Sequence, residues 1–316
     1  MGPGNSTVRG CFVTAVEFND TGVLLRARTM DHLLSSAELD ASWAEGKMSE
    51  FQGEVSRGER FEFGRNWRRF LSVIDDDRIA EAERALSAML GTTDLRGKRF
   101  LDIGSGSGLH SLAARRLGAR VHSFDYDPES TRCTADLAQR YCPGDPDWVV
   151  EVGSVLDLRY MCALGSFDIV YCWGVLHHTG AMWSALENTC SVVHPGGRLC
   201  LAVYNRQRFL TPYWTRIKSL YAGHPALRLL IVASHAPYLL GARLAVRVAT
   251  GRLTLRRGMS FWHDFVDWLG GFPFETAKPE EVLEHCRIWG FALVGLKTCG
   301  GASGCNEFVF VRKVPA

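Results

Sequence analysis

The sequence predicts an α/β fold: a seven-stranded, largely parallel sheet in which the last strand runs antiparallel. After Gly97, short β-branched runs alternate with helical runs, as expected of parallel strands joined by crossover helices. The last two strand-like runs are joined instead by a glycine-rich turn, which predicts a closing hairpin and an antiparallel last strand. With 316 residues, 47% of them apolar and 22% charged, the chain has the composition of a globular protein with a substantial core.

Each predicted strand is a short apolar run bounded by residues that break regular structure. Pro143–Pro146 interrupts the chain before the third strand, and a turn at His194–Gly197 precedes the fifth. The predicted strands are, in order, Arg99–Ile103, Ala119–Phe124, Trp148–Val152, Phe167–Tyr171, Arg198–Val203, Phe291–Lys297 and Asn306–Arg312.

Helices are predicted before and between these strands from their patterning and their terminal residues. Gly118 ends the helix after the first strand, Pro128 lies early in the next helix, and Gly290 ends the last one. The predicted helices are Asp76–Leu90, Leu109–Leu117, Pro128–Tyr141, Met182–Val193 and a segment from near Pro279 to Gly290.

The alternation stops after the fifth strand, at about residues 205–275, which predicts a helical cap inserted into the sheet domain. Between Arg206 and Arg257 this insert holds nine arginines, one lysine and no acidic residue. Since the whole chain carries a net charge of only +2, the remaining residues are acidic overall. The predicted organisation is an N-terminal extension or lid at 1–95 and a sheet domain at 96–316.

The cysteines and the apolar runs argue against several classes of protein. Ten cysteines are scattered without a CxxC pair, which disfavours a zinc ribbon or a thioredoxin-like site and favours free thiols in a reducing compartment. Met1–Arg9 is polar, so we expect no secretory signal and a cytoplasmic protein. The longest uncharged run of the insert, Leu229–Ala242, has 14 residues, which suits a surface-bound or cap helix better than a membrane span.

An acid and three alternating glycines follow from the first predicted strand: Asp102, Gly104, Gly106 and Gly108. Leu109 stands where a dinucleotide-binding GxGxxG loop has its last glycine, so a pyrophosphate ligand is disfavoured. A loop with GxGxG spacing after an acid suits a ligand that carries an amine, a carboxylate and a sulfonium.

Four further runs accompany this motif: FGxNW from Phe63, WGVLHHTGxMW from Trp173, RGMSxWHDxxDWLGGxPFE from Arg257 and GCNEFVF from Gly304. With them the chain resembles a bacterial branch of class I S-adenosylmethionine-dependent methyltransferases, named by analogy with ubiquinone-type O-methyltransferases. The resemblance implies a Rossmann-like seven-stranded sheet, S-adenosylmethionine as cofactor, and methyl transfer as activity.

Strand-end chemistry and this resemblance together predict the cofactor site, since ligands of an open α/β sheet collect beyond the carboxyl ends of its strands. Asp102 is expected to receive the α-ammonium, or else to be a solvated strand end, while the glycines admit the methionine moiety. Asp125 has the offset of an acid that binds ribose hydroxyls. The further candidates are Ser105, Tyr126, Ser154, Val155 and Trp173, with Asp157 as an alternative at the adenine.

The aromatic run Phe61–Trp67 in the N-terminal extension leaves two interpretations open. It is either a loop packed on the core or a lid in which Phe63, Asn66 and Trp67 close over the cofactor.

Histidines and aromatic residues are the candidates for acceptor chemistry. His177 and His178 follow the fourth strand, and an imidazole that titrates near neutrality suits a general base, although one of the pair could instead cap the next helix. His263 precedes Asp264 in an aromatic run that either binds and deprotonates an acceptor or forms a hinge. The candidate substrate-binding residues are Tyr204, Asn205, Trp262, Asp264 and Trp268. No metal site is predicted, because the paired histidines lack a third ligand at usable spacing.

The leading hypothesis is therefore methyl transfer from S-adenosylmethionine to a small or medium-sized metabolite, through a hydroxyl or an amine of the acceptor. An RNA (tRNA) base-modifying methyltransferase that grips phosphates with the basic insert is the main alternative. A non-catalytic S-adenosylmethionine-binding module is a third. The expected partner is a small-molecule acceptor, ahead of nucleic acid, and the basic insert allows peripheral membrane contact.

Overall fold

The computed structural model describes residues 14–18, 24–29, 41–250, 265 and 268–314. Within them, β1 (Thr14–Phe18) and β2 (Leu24–Thr29) form a small antiparallel pair. The strands of the main sheet are β3 Arg99–Ile103, β4 Arg120–Asp125, β5 Trp148–Val152, β6 Phe167–Trp173, β7 Val193–Tyr204, β8 Phe291–Lys297 and β9 Cys305–Arg312.

The strand order of the main sheet is β5-β4-β3-β6-β7-β9-β8. Strand β9 is antiparallel to both of its neighbours, and the other strands are parallel to one another. This confirms the predicted α/β, Rossmann-like sheet with an antiparallel last strand. The order reverses between β3 and β6, and at such a reversal a crevice opens beyond the carboxyl ends of the strands. The topology therefore points to this edge as the position of a ligand site.

The helices have ordinary termini, and α3 coincides with its prediction. Asp75 accepts the N–H of Arg78 at its start (2.9 Å), and Gly91 ends it with a φ of 64°. The helices are α1 Ala41–Ser56, α2 Phe63–Leu71, α3 Asp76–Leu90, α4 Leu109–Arg116, α5 Pro128–Tyr141, α6 Leu158–Ala163, α7 Met182–Ser191, α8 Leu210–Gly223, α9 Arg228–Thr250 and α10 Pro279–Ile288. None of the helices in the described part of the chain is long and apolar enough to cross a membrane.

The core lies on both faces of the sheet, because successive side chains of a strand point to opposite sides. Phe100 of β3 packs with apolar side chains of α3, α4 and α5. Leu101 and Ile103 pack on the other face with α6, α7 and α10. A third apolar cluster joins α8 and α9 to Leu269 and Phe274, and it contacts the sheet at its Tyr204 end. The helical insert thus has a small core beside the main one.

Two segments differ from expectation. His194–Gly197 is not a turn before the fifth strand but a bulge within β7, because Val193 already pairs with Phe167 while Arg198 pairs with Ile169. Glycine permits the bulge, since a Cβ on Gly197 would lie 2.7 Å from the carbonyl oxygen of His194. The aromatic run Phe61–Trp67 is not a loop throughout, since α2 begins within it and packs against α5.

We expect Gly64→Ala to destabilise the fold, since a Cβ at this position of α2 would lie 2.5 Å from the Glu129 Cβ and from the Ser130 nitrogen of α5. The free energy of unfolding, measured by chemical denaturation, should fall by about 1–3 kcal/mol. Gly46→Ala is the matched control, because a Cβ on Gly46 of α1 meets no atom within 4 Å. That exchange should be neutral or stabilise the protein by up to about 1 kcal/mol. An equal loss in both variants would contradict the close contact of α2 with α5.

Candidate active site

A cavity of about 680 Å³ opens at the carboxyl ends of β3, β4, β5 and β6, where the strand order reverses. The strand ends contribute Gly104, Asp125, Gly153 and Trp173 to its wall. The chain before the sheet contributes Lys47, Glu50, Phe51, Glu54, Arg60, Phe61, Phe63 and Trp67. The predicted site residues that line this cavity are Phe63, Trp67, Gly104, Asp125, Tyr126, Ser154, Val155, Trp173, His178 and Tyr204.

The glycine loop lies against Trp67. Gly104, Gly106 and Gly108 have φ values of 70°, 58° and 77°, in the left-handed region that favours glycine. A Cβ on Gly104 would lie 2.5 Å from Val175, and a Cβ on Gly106 would lie 3.0 Å from the Trp67 ring. A larger residue at Gly104 or Gly106 would therefore displace the neighbouring wall of the cavity.

Asp125 ends β4 and lines the cavity. Its carboxylate accepts the N–H groups of Gly106 and Asp127, both at 2.9 Å. Burial, and then the charge of Asp127, raises the pKa of Asp125 to about 7. Asp127 is itself occupied, because it accepts the N–H groups of Gly64 (2.7 Å) and Glu129 (2.9 Å). Asp125 keeps lone pairs with which to accept ligand hydroxyls.

Asp102 does not line the cavity. It is 3% exposed, and its carboxylate accepts the hydroxyl of Ser111 on α4. Burial raises the pKa of Asp102 to about 7. The alternative interpretation of Asp102 as a solvated strand end is therefore wrong: the side chain fastens α4 to β3.

Helix α1 contributes wall residues that sequence reasoning missed. Trp43 stacks on Tyr160 with ring centroids 4.9 Å apart and donates its indole N–H to Asp157 at 3.2 Å. Lys47 lies 3.8 Å from the same carboxylate, whose other oxygen accepts the N–H of Tyr160 at the start of α6. Asp157 and Ser154 both line the cavity, but the Asp157 carboxylate is already held by protein partners. No local motif in α1 indicates this contact, since Trp43 and Asp157 are 114 residues apart.

His178 lines the cavity and is oriented from behind it. Its Nδ1 lies 2.8 Å from the carbonyl oxygen of Pro273. Because a carbonyl oxygen only accepts, Nδ1 carries the proton and Nε2 is the acceptor. Burial, and then the charge of Lys218, lowers the pKa of His178 to about 3. The sequence argument assumed an imidazole that titrates near neutrality, but the buried ring is neutral throughout the physiological range.

His177 does not line the cavity and is 1% exposed. Its Nδ1 accepts the N–H of Tyr204 at 3.3 Å, and its carbonyl oxygen accepts the N–H of Glu275 at 2.9 Å. Burial, and then the neighbouring His178, lowers the pKa of His177 well below its usual range. His177 therefore connects the end of β7 to the chain that returns from the insert.

The returning segment Gly270–Glu275 holds the histidine turn, Leu176–His178, to Phe61 just before α2. The Glu275 carboxylate accepts the N–H of Met182 at the beginning of α7, at 3.2 and 3.1 Å. The carbonyl oxygen of Phe272 accepts the N–H of Phe61 at 2.9 Å. A Cβ on Gly270 would lie 2.2 Å from the Phe61 ring. The GGxPFE run thus brings Phe61 and His178 to the same wall.

Arg60 joins α1 to the histidine turn. Its guanidinium pairs with Glu54, donates to the carbonyl oxygen of His178 at 2.9 Å, and lies 4.9 Å from the centroid of the Tyr126 ring. The Phe63 ring lies 5.0 Å from the His178 ring. These contacts hold α1, α2 and the histidine turn together along one side of the cavity.

The other predicted site residues lie outside this wall. The Ser105 hydroxyl is hydrogen-bonded to the Thr134 hydroxyl (2.9 Å), and Oδ1 of Asn205 accepts an N–H of the Asn306 side-chain amide (3.1 Å). Trp268 packs edge-to-face on Tyr204, 5.2 Å between ring centroids. The predicted residues not on the wall are Asn66, Asp102, Ser105, Gly106, Gly108, His177, Asn205 and Trp268. Trp262, His263 and Asp264 lie outside the described residues.

Carboxylates predominate among the charged side chains of the cavity wall. The acids are Glu50, Glu54, Asp125, Asp127 and Asp157, and the bases are Lys47 and Arg60. Both bases already face carboxylates, Lys47 at Glu50 and Arg60 at Glu54. Such a wall favours cationic over anionic ligands. Among the described residues, no group of three histidine, cysteine or acidic side chains is arranged to hold a metal ion.

Residues 101–201 match the family model described as a methyltransferase domain. The chain is also similar to curated proteins named ubiquinone biosynthesis O-methyltransferase. The protein from Xanthomonas oryzae pv. oryzae is 37% identical over 113 residues, which are 36% of this chain and 46% of that protein. The protein from Xanthomonas axonopodis pv. citri is 38% identical over 110 residues, 35% of this chain and 44% of that one. The match thus spans less than half the length of these relatives.

Solved structures resemble the fold at low sequence identity. The magnesium protoporphyrin IX methyltransferase from Synechocystis with bound S-adenosylmethionine is 13% identical, with a TM-score of 0.49 over 84% of this chain and 97% of that one. The 1,6-didemethyltoxoflavin-N1-methyltransferase from Burkholderia thailandensis is 16% identical, with a TM-score of 0.45 over 91% and 95% of the two chains.

We expect His178 to remain neutral, with its proton on Nδ1, from about pH 5 to about pH 8, because burial and Lys218 disfavour the imidazolium. Long-range ¹H–¹⁵N correlation spectra of the imidazoles measure the tautomer directly, and His178→Asn assigns the signal. His194→Ala, at an exposed position, is the matched control and should leave the His178 signal unchanged. A His178 signal that titrates near pH 6.5 would contradict the neutral state of the ring, and a neutral ring with its proton on Nε2 would contradict the orientation by Pro273.

Proposed function

We propose that the protein transfers the methyl group of S-adenosylmethionine to a small or medium-sized metabolite, since residues 101–201 match the family model described as a methyltransferase domain. The observation that carries the proposal is one cavity with Asp125 and the glycine loop on one side and His178 and Tyr204 on another. A donor and an acceptor that share this cavity can meet in line at the sulfonium methyl, and such orientation supplies much of the acceleration of a bimolecular reaction.

In this proposal the ribose hydroxyls donate to Asp125, and the methionine moiety lies along Gly104. The adenine lies between the β5 end, at Ser154 and Val155, and helix α1. Trp67, Phe63 and α1 then form the lid of the cofactor site. Asp102 acts from behind the loop, by holding α4 through Ser111.

His178 is the residue we propose to orient the acceptor. Its protonated Nδ1 is engaged by Pro273, so the acceptor hydroxyl or amine donates a hydrogen bond to Nε2. A ring whose pKa is about 3 is a weak base, and its contribution is therefore chiefly to aim the lone pair of the acceptor atom at the methyl group. As the bond between the acceptor oxygen and the methyl group forms, the bond from that methyl to sulfur breaks with its electron pair left on sulfur. The proton of a hydroxyl acceptor becomes more acidic in this step and passes to solvent.

The charges on the wall favour a small neutral or cationic acceptor over RNA. The donor is itself a sulfonium cation. The wall carries five carboxylates and only two basic side chains, so it would attract such a cation. A polynucleotide would bring negatively charged phosphates to the opening of the same cavity, where the carboxylates would repel them. The basic residues of the insert that would grip phosphates do not line the described cavity.

Asp125→Asn should weaken S-adenosylhomocysteine binding at every pH, since the amide cannot accept both ribose hydroxyls on one group as a carboxylate does. In the parent protein the affinity should fall about tenfold from about pH 8 to about pH 6, because binding favours the ionised carboxylate and only about a tenth of Asp125 is ionised one unit below its pKa. Titration calorimetry at several pH values measures both effects.

Asp136→Asn, an exposed exchange on α5, is the matched control and should bind as the parent does. If Asp125→Asn kept the full pH dependence, the titrating group would lie elsewhere, and Asp102→Asn would then identify it or exclude it. Failure of the parent protein to bind either S-adenosylmethionine or S-adenosylhomocysteine would overturn the proposed function.

His178→Ala should lower kcat by about 100-fold or more, with S-adenosylhomocysteine affinity unchanged, because the ring contacts the acceptor and not the cofactor. The assay is transfer of a labelled methyl group to an acceptor found by screening hydroxyl and amine metabolites. His194→Ala, at an exposed position of the bulge in β7, is the matched control and should retain full activity. An unchanged kcat in His178→Ala would exclude the proposed role of this ring.

A further inference from the structure

Helix α9 is apolar on two sides but packs on only one. Ile231 and Leu239 are buried in the cluster that joins the insert to Trp214 and Phe274. Leu229 and Leu230 are 79% and 65% exposed, and exposed Ala233 and Pro237 continue the row of Leu230 along the helix. A helix that is apolar all round is normally buried on every side. The outer side of α9 therefore lacks a covering partner within the described part of the chain.

Helix α8 adds large apolar side chains to the same helical hairpin. Phe209, immediately before α8, is 78% exposed, and Leu210 and Tyr213 are also exposed. The Tyr213 hydroxyl lies 2.7 Å from Nε2 of His235, so α8 and α9 are bonded side by side at this point. Several exposed leucines together with an exposed phenylalanine and tyrosine on one hairpin are typical of an interaction surface.

The charge of the hairpin identifies the kind of partner. Arg208 and Arg216 are exposed on or beside α8, and α9 carries Arg243 and Arg247. The stretch from Arg206 to Arg257 has no acidic residue, whereas the rest of the chain is acidic. A surface that is basic and apolar at once matches an anionic lipid bilayer, into whose headgroup region apolar side chains insert while arginines attract phosphates. The phosphates of RNA would pair with the arginines, but RNA would leave the exposed leucines without a binding partner.

We propose that the α8–α9 hairpin docks the protein on an anionic lipid surface as a peripheral helix pair. This inference is independent of methyl transfer, because it rests on the outer surface of the insert and not on the cavity. Docking would set the Tyr204 end of the cavity near the bilayer, since Tyr204 packs against the inner cluster of the same hairpin.

Co-sedimentation of the full chain with vesicles of phosphatidylcholine, with and without phosphatidylglycerol, tests the proposal. The protein should pellet with the mixed vesicles only, and the bound fraction should fall with added salt. The double variant Leu229→Ser and Leu230→Ser should bind at least about fivefold more weakly, as should Arg208→Glu with Arg216→Glu. Ile288→Ser with Val314→Ser is the matched control, because it changes two exposed apolar side chains elsewhere and should pellet as the parent does.

Circular dichroism and S-adenosylhomocysteine binding show whether each variant is folded. A parent protein that stays in the supernatant with phosphatidylglycerol vesicles would overturn the proposal, and so would an equal loss of binding in the Ile288 and Val314 control. Binding of single-stranded RNA by the parent, abolished by the arginine exchanges but unaffected by the leucine exchanges, together with no vesicle binding, would assign the hairpin to nucleic acid instead.

Discussion

The end of β4 is the point on which the rest of the site depends. Within three residues, Asp125 accepts the N–H of Gly106 from the glycine loop and Asp127 accepts the N–H of Gly64 from α2. Asp127 also caps α5 through Glu129. Carboxylates buried in this way cost desolvation free energy that backbone donors partly offset. One strand end thereby fixes the glycine loop, α2 and α5 in a single arrangement.

A second fastening lies across the cavity, where the chain returns from the insert. Pro273 selects the tautomer of His178, and Glu275 holds both His177 and the start of α7. The same segment receives Phe61 from the N-terminal part of the chain. Elements from three distant parts of the sequence therefore set the polarity and orientation of one imidazole. A movement of the insert would therefore change the position of Nε2 of His178, even if the insert itself does not contact a ligand.

The sheet and α3 could be predicted because their signals are local. An Asp cap, apolar spacing at three and four residues and a terminal glycine define α3 within its own sequence. The glycine loop could be predicted for the same reason, since few residue types other than glycine adopt a positive φ. The contact of Trp43 with Asp157 depends on residues 114 positions apart, and no local pattern contains it. The bulge in β7 escaped prediction for a related reason: His194–Gly197 has the composition of a turn, and only the pairing of Val193 with Phe167 extends the strand past it.

The pKa of His178 shows what a sequence motif omits. Two adjacent histidines after a strand suggest titration near neutrality, but the burial that lowers the pKa comes from Tyr204, Phe63 and the returning segment. The charges of the chain are also separated in space: arginines are concentrated on the α8–α9 hairpin, and carboxylates predominate on the cavity wall. In the proposed reaction the donor enters as a sulfonium and leaves as a neutral thioether. A wall rich in carboxylates holds the first more strongly than the second, so the loss of one positive charge on methyl transfer itself favours release of the product.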